Sequence, residues 1–308
     1  MKPSTWGLFV GLVVLSIGPR TLSAQGEPGA FLNLMRGARP MGMGGAFTAL
    51  ADDVNAVYFN PAGISAIPHK ELTFTHLPEM GFDRKANFVA FSFPGSAGDS
   101  AWGFSYSRLT IDGIPETRIN PNGTPVTDAA GNVIIFGLFD DVEEAATVSY
   151  GWKQTDQIRI GATARLLHQD FSSSSTDNSG SGIGMDLGAL YQPTEDVRIG
   201  LALKDMFESI RFDSGSAEIP LKIAIGAAVR GYKHIVYALD IETVEGRGTN
   251  LRIGLEKWWQ KHYAARAGLS DGKFAAGVSA KFDAFQFDYA FKQQDLSDEN
   301  RLSLTYRF

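Results

Sequence analysis

The chain contains residue types that could carry out chemistry, but their spacing does not assemble a reactive site. Asp52 and Asp53 are adjacent carboxylates, yet a calcium site needs several further oxygen ligands at regular spacings. Adjacent acids of this kind more often cap a helix. The histidines are scattered, without the close spacing of metal ligands: His69, His76, His168, His234 and His262. The sequence therefore predicts no enzyme, no metal centre and no bound cofactor.

The most unusual stretch is GMGGAFTALADDVNAVYFNPAG, from Gly42 to Gly63. Its glycines do not form a nucleotide-binding loop, because Phe47 stands where the third glycine would be needed. Glycines instead allow tight turns and close backbone approach, here at Gly42, Gly44, Gly45 and Gly63. Asp52 or Asp53 could cap a short helix that runs through Phe59, and Pro61 disfavours helix at the residue before it.

From Lys70 onward, apolar and polar residues alternate with period two, which is typical of strands with two different faces. The tripeptide Arg-Ile-Gly recurs at Arg159, Arg198 and Arg252. Its intervals are unequal, so we interpret it as recurrent strand chemistry and not as an internal repeat. The pattern predicts about 14 strands of roughly 9–11 residues, the length that crosses a bilayer at a tilt. They begin near Lys70, Lys85, Ala101, Ala145, Ile158, Ile183, Val197, Leu221, Ile235, Asn250, Tyr263, Lys273, Phe285 and Arg301.

The connections between these strands alternate between short and long. Tight turns such as Gln154–Gln157 alternate with longer polar connections, of which Ile111–Glu144, Gln169–Gly182 and Met206–Ile219 are examples. Barrels of the bacterial outer membrane have short periplasmic turns and longer extracellular loops. We therefore predict an all-β fold: a transmembrane antiparallel β-barrel with both termini in the periplasm. A soluble β-sandwich or propeller is the competing fold.

Charge indicates which face of each strand points into the barrel. A basic residue that faced lipid near the bilayer midplane would cost about 2–4 kcal/mol. We therefore expect the charged face to line the lumen, including Arg159, Arg165, Arg198, Lys204, Lys222, Arg252, Glu256, Arg266, Asp288 and Arg301. Their apolar neighbours, such as Phe285, Phe287 and Tyr289, would then face lipid.

The last strand, RLSLTYRF, places Leu302, Leu304, Tyr306 and the final Phe308 on one face. It resembles the carboxy-terminal signal by which the barrel assembly machinery recognises bacterial outer-membrane barrels. An ordinary amphipathic strand that ends in Phe is the alternative. We predict that these four residues form the assembly signal.

Composition narrows the function classes further. The chain of 308 residues has no cysteine, which excludes disulfides and thiolate metal sites, and its formal net charge of −6 argues against a nucleic-acid partner. Lys2 and an apolar run from Trp6 to Ile17 indicate a secretory signal, cleaved after Ala24. We expect three parts: a signal peptide (1–24), a plug segment (25–68) and the barrel (69–308).

A barrel of about 14 strands encloses a lumen that wall side chains alone do not fill. Residues 25–68 precede the first strand, so we expect them to form a plug, or hatch, inside it. Asn60, Pro61 and Ala62 would shape one end of the hatch, and Asn60 would bond to local backbone. Phe47, Tyr58 and Phe59 would line any ligand pocket.

Four motifs of this segment resemble the amino-terminal signature of the FadL-type outer-membrane hydrophobe transporters and their PorV/PorQ relatives. They are Gly37–Arg39, Gly42–Ala46, Ala51–Asp53 and Tyr58–Gly63. The Gly-Met-Gly opening and the aromatic-Asn-Pro-Ala-Gly step are more similar to the PorV-like branch. The resemblance implies a fourteen-stranded barrel with an amino-terminal hatch. PorV-like members carry secreted cargo for type IX secretion, which implies a protein cargo as an alternative partner.

Three function hypotheses follow. The barrel binds or transports hydrophobic small molecules across the outer membrane; or it is a secretion-linked barrel that binds a protein partner; or it is a general polar porin, which a plug would obstruct. In each case, outer-membrane lipid, lipopolysaccharide and the barrel assembly machinery are expected partners.

Overall fold

The computed structural model describes residues 29–34, 36–78, 84–96, 98–173, 177–213, 215–295 and 297–308. The predicted signal peptide lies outside these residues. In the described ranges, no helix is long and apolar enough to cross a membrane.

Fifteen strands of the described chain form one antiparallel sheet. Fourteen of them close into a barrel, because β1 pairs with both β2 and β15 and because β6 pairs with β7. The short β8 extends the end of β7, whereas β9 continues the wall. The strands are β1 (Glu71–Leu77), β2 (Arg84–Pro94), β3 (Ser100–Thr117), β4 (Ile135–Lys153), β5 (Ile158–Ser173), β6 (Asp177–Thr194), β7 (Val197–Phe212), β8 (Gly215–Glu218), β9 (Lys222–Arg230), β10 (Ile235–Val244), β11 (Gly248–Trp259), β12 (Tyr263–Ser270), β13 (Lys273–Phe282), β14 (Phe285–Lys292) and β15 (Glu299–Arg307).

The predicted strand number is confirmed, but several predicted loops are wrong in part. The stretch predicted as one loop, Ile111–Glu144, contains the end of β3 and the start of β4. Parts of Gln169–Gly182 and Met206–Ile219 are likewise strand. These extensions carry Asp, Ser, Gly and Glu, so the apolar alternation that marks a lipid-facing strand stops before the hydrogen-bonded ladder does.

The two ends of the barrel differ. We call the end that carries both termini of the barrel strands the short-turn end, because turns such as Asp283–Ala284 connect the strands there. The opposite end, where β3 to β7 project furthest, is the long-loop end. The predicted inward face is confirmed: Arg165, Lys204, Arg252, Arg266 and Arg301 are all at least 95 % buried, while strand neighbours such as Leu166, Leu251 and Leu302 are exposed on the lipid-facing side.

Residues 29–34 and 36–68, which we call the lumen segment, lie inside the barrel and are mostly buried. This segment contains two short α-helices, α1 (Ala38–Gly42) and α2 (Ala56–Phe59), and two 3-10 helices, Ala30–Asn33 and Pro61–Ala66. A further 3-10 turn, Tyr232–His234, connects β9 to β10. Helix α1 packs on β12 to β15, and the Pro61–Ala66 turn packs on β3 to β6. The lumen segment therefore contacts opposite sides of the wall.

The wall meets this segment at inward-facing glycines. A Cβ atom added at Gly161 of β5 would lie 2.6 Å from the Pro61 carbonyl oxygen, and one at Gly254 of β11 would lie 2.6 Å from the Met43 carbonyl oxygen. The same is true of Gly151, whose added Cβ would lie 2.6 Å from the Pro61 carbonyl oxygen. Real Cβ atoms do not approach so closely, so at these positions only glycine lets the two backbones touch. Further glycines of this belt are Gly103, Gly188, Gly200, Gly226, Gly268 and Gly277.

The recurrent Arg-Ile-Gly tripeptide has a structural explanation in these contacts. Its three glycines, Gly161, Gly200 and Gly254, all belong to the belt. Two of its arginines also hold the lumen segment: Arg159 donates to the Ser65 carbonyl at 3.0 Å, and Arg198 donates to the Leu50 carbonyl at 3.1 Å. The repeated motif is thus a place where the wall binds the lumen segment. Its three copies lie on β5, β7 and β11, and the intervals between them in the sequence are unequal.

The last strand closes the barrel against β1. Leu302 and Phe308 are exposed on the lipid-facing side, at 51 % and 61 % of their surface, and Leu304 lies on the same face at 38 %. Tyr306 packs between Phe285 and Phe308, with ring centroids 4.8 and 4.5 Å apart respectively. The predicted face is present, and the role of these residues in assembly stays a prediction.

We predict that Gly161→Val destabilises the folded barrel by about 1–3 kcal/mol or prevents its folding, because the added side chain would overlap the backbone of Pro61 and Ala62. The matched control is Ala164→Val, three residues along β5 on the lipid-facing side, where the side chain is exposed. Heat-dependent unfolding in detergent, followed by gel mobility, measures both. Equal stability of the two variants would contradict close docking at Gly161.

Candidate functional site

Arg39 connects the lumen segment to the wall. Its guanidinium donates to Asp52 and Asp53 of the same segment, each at 2.7 Å, and to both carboxylate oxygens of Glu256 on β11 at 2.8 Å. Glu256 in turn accepts from Arg266 on β12 at 2.6 Å. The bidentate pairing fixes the geometry as well as the charge. The predicted capping role holds for Asp53 only: its Oδ1 accepts from the Asn55 backbone N–H at 2.9 Å, at the turn that leads into α2, while its Oδ2 binds Arg39. Asn55, the residue directly before α2, makes no side-chain cap.

Arg39 stays charged although it is fully enclosed. Burial would by itself lower the pKa of its guanidinium, but the carboxylates of Asp52, Glu256 and Asp53 outweigh burial and raise that pKa. Removing such a partner from a buried ion pair leaves an uncompensated charge, which is strongly destabilising. This cluster therefore holds the lumen segment in one position.

Asn60 holds the lumen segment to strands β6 and β7. It is completely buried, and its amide nitrogen donates to the carbonyls of Thr48 at 2.9 Å, Ala189 at 3.1 Å and Leu201 at 3.4 Å. Its amide oxygen accepts from the backbone of Ala62 at 3.2 Å, so Asn60 also caps the turn that Pro61 begins. The predicted local hydrogen bond is present, and the bonds to two wall strands go beyond it.

The three aromatic residues predicted to line a pocket are packed against their neighbours. Phe47 and Phe59 are 0 % and 1 % exposed, with ring centroids 5.2 Å apart. Tyr58 lies beneath cations, with Lys204 Nζ 4.9 Å from its ring centroid and the Arg36 guanidinium 5.6 Å from it. In this closed arrangement the rings support the lumen segment, and their role in binding a ligand stays a prediction.

The glycines predicted for the plug serve close contacts. Gly42 faces Gly277 of β13, and an added Cβ would lie 3.1 Å from its Cα. Gly44 and Gly45 have φ of 65° and 81°, the left-handed region that favours glycine. Gly63 lies directly against the carbonyl of Ala51.

The long-loop half of the lumen has an apolar compartment beside β1 to β9. Phe31 and Leu32, at the start of the lumen segment, are 1 % and 3 % exposed and fill it. They belong to one buried cluster with wall residues Leu77, Phe88, Leu109, Leu167, Ile210 and Ile219. Phe31 and Leu32 were not among the residues predicted for a site, because a lone Phe-Leu pair carries no motif.

The wall next to this compartment is irregular between β6 and β7, which we call the β6–β7 seam. Ile183 pairs with Ser209, Met185 with Met206, and Leu187 with Leu203. Between each of these pairs and the next, β6 advances by two residues and β7 by three. This extra residue on β7 occurs twice in succession, which is the pattern of two adjacent β-bulges.

Two residues of β7 in this seam have left-handed backbone. Asp205 and Phe207 have φ of 60° and 54°, which is uncommon for residues other than glycine and stores local strain. Phe207 points outward and is 87 % exposed. A cavity of about 570 Å³ lies at the seam and touches Leu166, Leu167, Ile183 and Phe207.

Inside the seam, Arg165 of β5 binds three carboxylates. Its guanidinium lies 2.5 Å from Asp186, 2.7 Å from Asp205 and 2.7 Å from Glu208. Three acids so close together could suit a metal ion, but the Arg165 guanidinium already supplies the cation among them. The trio therefore anchors the bulged part of β7 to β5 and β6.

One motif of the sequence has the spacing of a nucleophile elbow without its geometry. Gly268–Gly272 reads GLSDG, but an elbow requires a strand-to-helix turn that exposes the serine. Here Ser270 ends β12 and the two-residue turn leads into another strand, β13. This serine is therefore not presented as a nucleophile.

Comparison with solved structures identifies the architecture. The toluene transporter TodX of Pseudomonas putida superposes with a TM-score of 0.62 at 13 % identity, covering 87 % of this chain and 96 % of that one. The CymD monoaromatic hydrocarbon channel gives 0.65 at 13 % identity, covering 89 % and 98 %. A Pseudomonas aeruginosa FadL homologue gives 0.59 at 11 % identity, covering 89 % and 98 %. The chain has the FadL-type barrel fold.

Sequence comparison gives matches over a shorter part of the chain. The model of an uncharacterised protein family, UPF0164, matches residues 19–138. A UPF0164 protein of Treponema pallidum (strain Nichols) is 36 % identical over 100 residues, 32 % of this chain. That match spans 29 % of the length of the relative. The family model covers the lumen segment and the first strands, where the Asn-Pro-Ala-Gly step and Arg39 lie.

We predict that Asn60→Asp is destabilising by about 1–3 kcal/mol near neutral pH, because a carboxylate would face carbonyl oxygens where the amide now donates. Burial without a cation partner raises the folded-state pKa of the new carboxyl above its unfolded value of about 3.9. The folded variant then binds more protons than the unfolded one, so its stability falls as pH rises above about 4.

Thermal unfolding in detergent at pH 4 and pH 8 measures this effect. Asn60→Ala is the control, since it loses the same hydrogen bonds but adds no titratable group. An Asn60→Asp variant whose deficit relative to Asn60→Ala does not change between the two pH values would contradict the bonding described for Asn60.

Proposed function

We propose that this barrel takes up hydrophobic small molecules at its long-loop end and releases them sideways into the membrane through the β6–β7 seam. The fold supports this, because proteins of the same architecture are described as monoaromatic hydrocarbon channels and a toluene transporter. In this proposal the long-loop end faces the cell exterior, and the termini lie in the periplasm.

Passage of a molecule straight along the barrel axis is unfavourable. The lumen segment touches wall glycines on nine strands, and Arg39 and Asn60 fix it through buried polar contacts. A polar pore would need these contacts to break together. A sideways route leaves them in place.

The apolar compartment is the proposed binding site. Phe31 is a benzyl group held against Leu and Ile side chains, which is the environment that a small aromatic hydrocarbon would require. Fully burying a side chain such as Phe contributes about 1.5–3 kcal/mol. A ligand of similar size can therefore replace Phe31 with little net change in buried apolar area.

The observation that carries the proposal is the seam cavity. It is lined both by Leu167, a lumen-facing residue that is 3 % exposed, and by Leu166, Ile183 and Phe207, which are 64 %, 68 % and 87 % exposed on the outer side. The polar residues Ser181, Ser209 and Arg211 also line it. A partly apolar path from compartment to lipid thus begins where the ladder between β6 and β7 is interrupted. The strain at Asp205 and Phe207 favours this seam as the place that opens.

A second candidate function is suggested by the β3–β4 hairpin. It projects beyond the barrel at the long-loop end, and Ile119, Ile135 and Leu138 are 74 %, 60 % and 58 % exposed on it. Exposed apolar groups of this kind are typical of protein interaction sites. The PorV-like secretion-linked role would use this hairpin to bind a protein cargo.

We predict that a disulfide across the seam abolishes uptake. The chain has no cysteine, so Met185→Cys with Met206→Cys, a directly opposed pair, introduces the only thiols. The control pair is Leu201→Cys with Ile225→Cys on the regular β7–β9 ladder. Accumulation of radiolabelled toluene by cells is measured before and after reduction. Uptake that persists in the oxidised seam pair would contradict the sideways route.

We predict that shortening the β3–β4 hairpin separates the two candidate functions. Replacing residues 118–134 by Asn-Gly retains a two-residue hairpin turn and leaves the seam intact. Ile135→Ser and Leu138→Ser are added, so that all three exposed apolar side chains of the hairpin are removed. The hydrophobe proposal expects unchanged toluene uptake. The cargo proposal instead expects loss of a stoichiometric protein that crosslinks to the full-length chain in cells, with toluene uptake absent from both versions.

A further inference from the structure

The long-loop half of the lumen contains a second cavity, of about 370 Å³, on the side opposite the apolar compartment. It lies between residues 33–45 of the lumen segment and the long-loop ends of β9 to β15. Seven basic and three acidic side chains line it, although the whole chain carries a net charge of −6. Two of the basic residues, Lys222 and Lys273, pair with Asp205 and Asp295 outside the lining. Basic side chains therefore outnumber acidic ones in the lining of the cavity.

Two guanidinium groups converge on Gly45 in this cavity. A Cβ at Gly45 would lie 3.2 Å from Nη1 of Arg36 and 3.5 Å from Nε of Arg252. Gly45 thus leaves the space between these two cations without a side chain. Stacking of Arg36 over Tyr58, at 5.6 Å from its ring centroid, holds one of them. The pairing of Arg252 with Glu242 holds the other.

Both guanidinium groups retain an unused donor. The Nε atoms of Arg36 and Arg252 are buried and have no hydrogen-bond partner among the described residues. Only 5 % of the surface of Arg252 is exposed. A buried donor without an acceptor costs free energy. An acceptor atom placed between the Arg36 and Arg252 guanidinium groups would therefore stabilise both.

Two further cations add to this charge. Arg301 is anchored by Glu299 and donates to the Arg36 carbonyl at 2.7 Å, which places it beside Arg36. Lys292 also lines the cavity, and among the described residues no carboxylate lies within ion-pair distance of Lys292 or Arg36. The two carboxylates beside these cations, Glu242 and Glu299, are already paired with Arg252 and Arg301. Positive charge is therefore in excess in this confined space, and it favours an added anion.

We propose that this cavity binds an oxyanion, either a phosphate or a carboxylate group, held by Arg36, Arg252, Lys292 and Arg301. Planar guanidinium groups match the oxygens of both groups. The lining is mostly polar and charged, so the ligand group is hydrophilic and enters from the water at the long-loop end. The site is separate from the hydrophobe compartment and does not depend on the proposed transport.

The two sources of such a group are a free anion and the head group of an amphiphile. Isothermal titration of the full barrel in a non-ionic detergent, with methyl phosphate and with decyl phosphate as probes, distinguishes them. Equal affinities indicate a site for free anions, and tighter binding of decyl phosphate indicates a head-group site. Both outcomes support the proposal, provided that the variants below weaken binding.

The variants Arg36→Gln and Lys292→Gln remove cations that have no carboxylate partner, so folding is least affected. We expect each to weaken methyl phosphate binding by roughly tenfold to a hundredfold, the effect of losing a hydrogen bond to a charged group. Lys292→Arg should restore most of the affinity. Lys281→Gln is the matched control, a lumen-facing lysine on β13 at the short-turn end. Absence of binding to the wild-type barrel, or equal affinity in all variants, would overturn the proposal.

Discussion

Direct contact between the backbone of the lumen segment and the barrel wall is the constraint on which the rest of the structure depends. The contact is made where the wall has no side chain, at Gly151, Gly161 and Gly254 among others. Because protein interiors are close-packed, a segment that lies against glycines of nine strands has one position. The buried pairing of Arg39 with Glu256 and the hydrogen bonds of Asn60 are then satisfied only in that position.

Because the lumen segment is fixed, any opening of the barrel has to involve movement of the wall. The β6–β7 seam is the part of the described wall that combines interrupted strand pairing, left-handed backbone at Asp205 and Phe207, and a cavity with both apolar and polar lining. The part of the lumen on the long-loop side of this segment has two regions that differ in polarity. Its apolar side adjoins the seam, and its cationic side adjoins β10 to β15. A hydrophobe and an anion would therefore occupy different places in the same barrel.

The sequence predicts the barrel well because lipid imposes a simple rule on each strand. Alternation located fourteen wall strands, and the cost of a charge in lipid placed Arg165 and Arg266 inside. Hairpin extensions such as Ile135–Glu144 were missed because no lipid faces them. The Arg-Ile-Gly recurrence was visible, but its role depends on which segment crosses the lumen. Arg39, Phe31 and the bulges at Asp205 and Phe207 follow from tertiary contacts that no local pattern encodes.

Hydrogen exchange, measured by mass spectrometry on the barrel in detergent, tests the central claim most directly. The account predicts that amides of residues 40–67 exchange as slowly as those of the regular strands β10 to β14, and that amides of residues 203–209 in the seam exchange faster. Fast exchange throughout residues 40–67, with a protected seam, would contradict it and would identify the lumen segment as the part that moves.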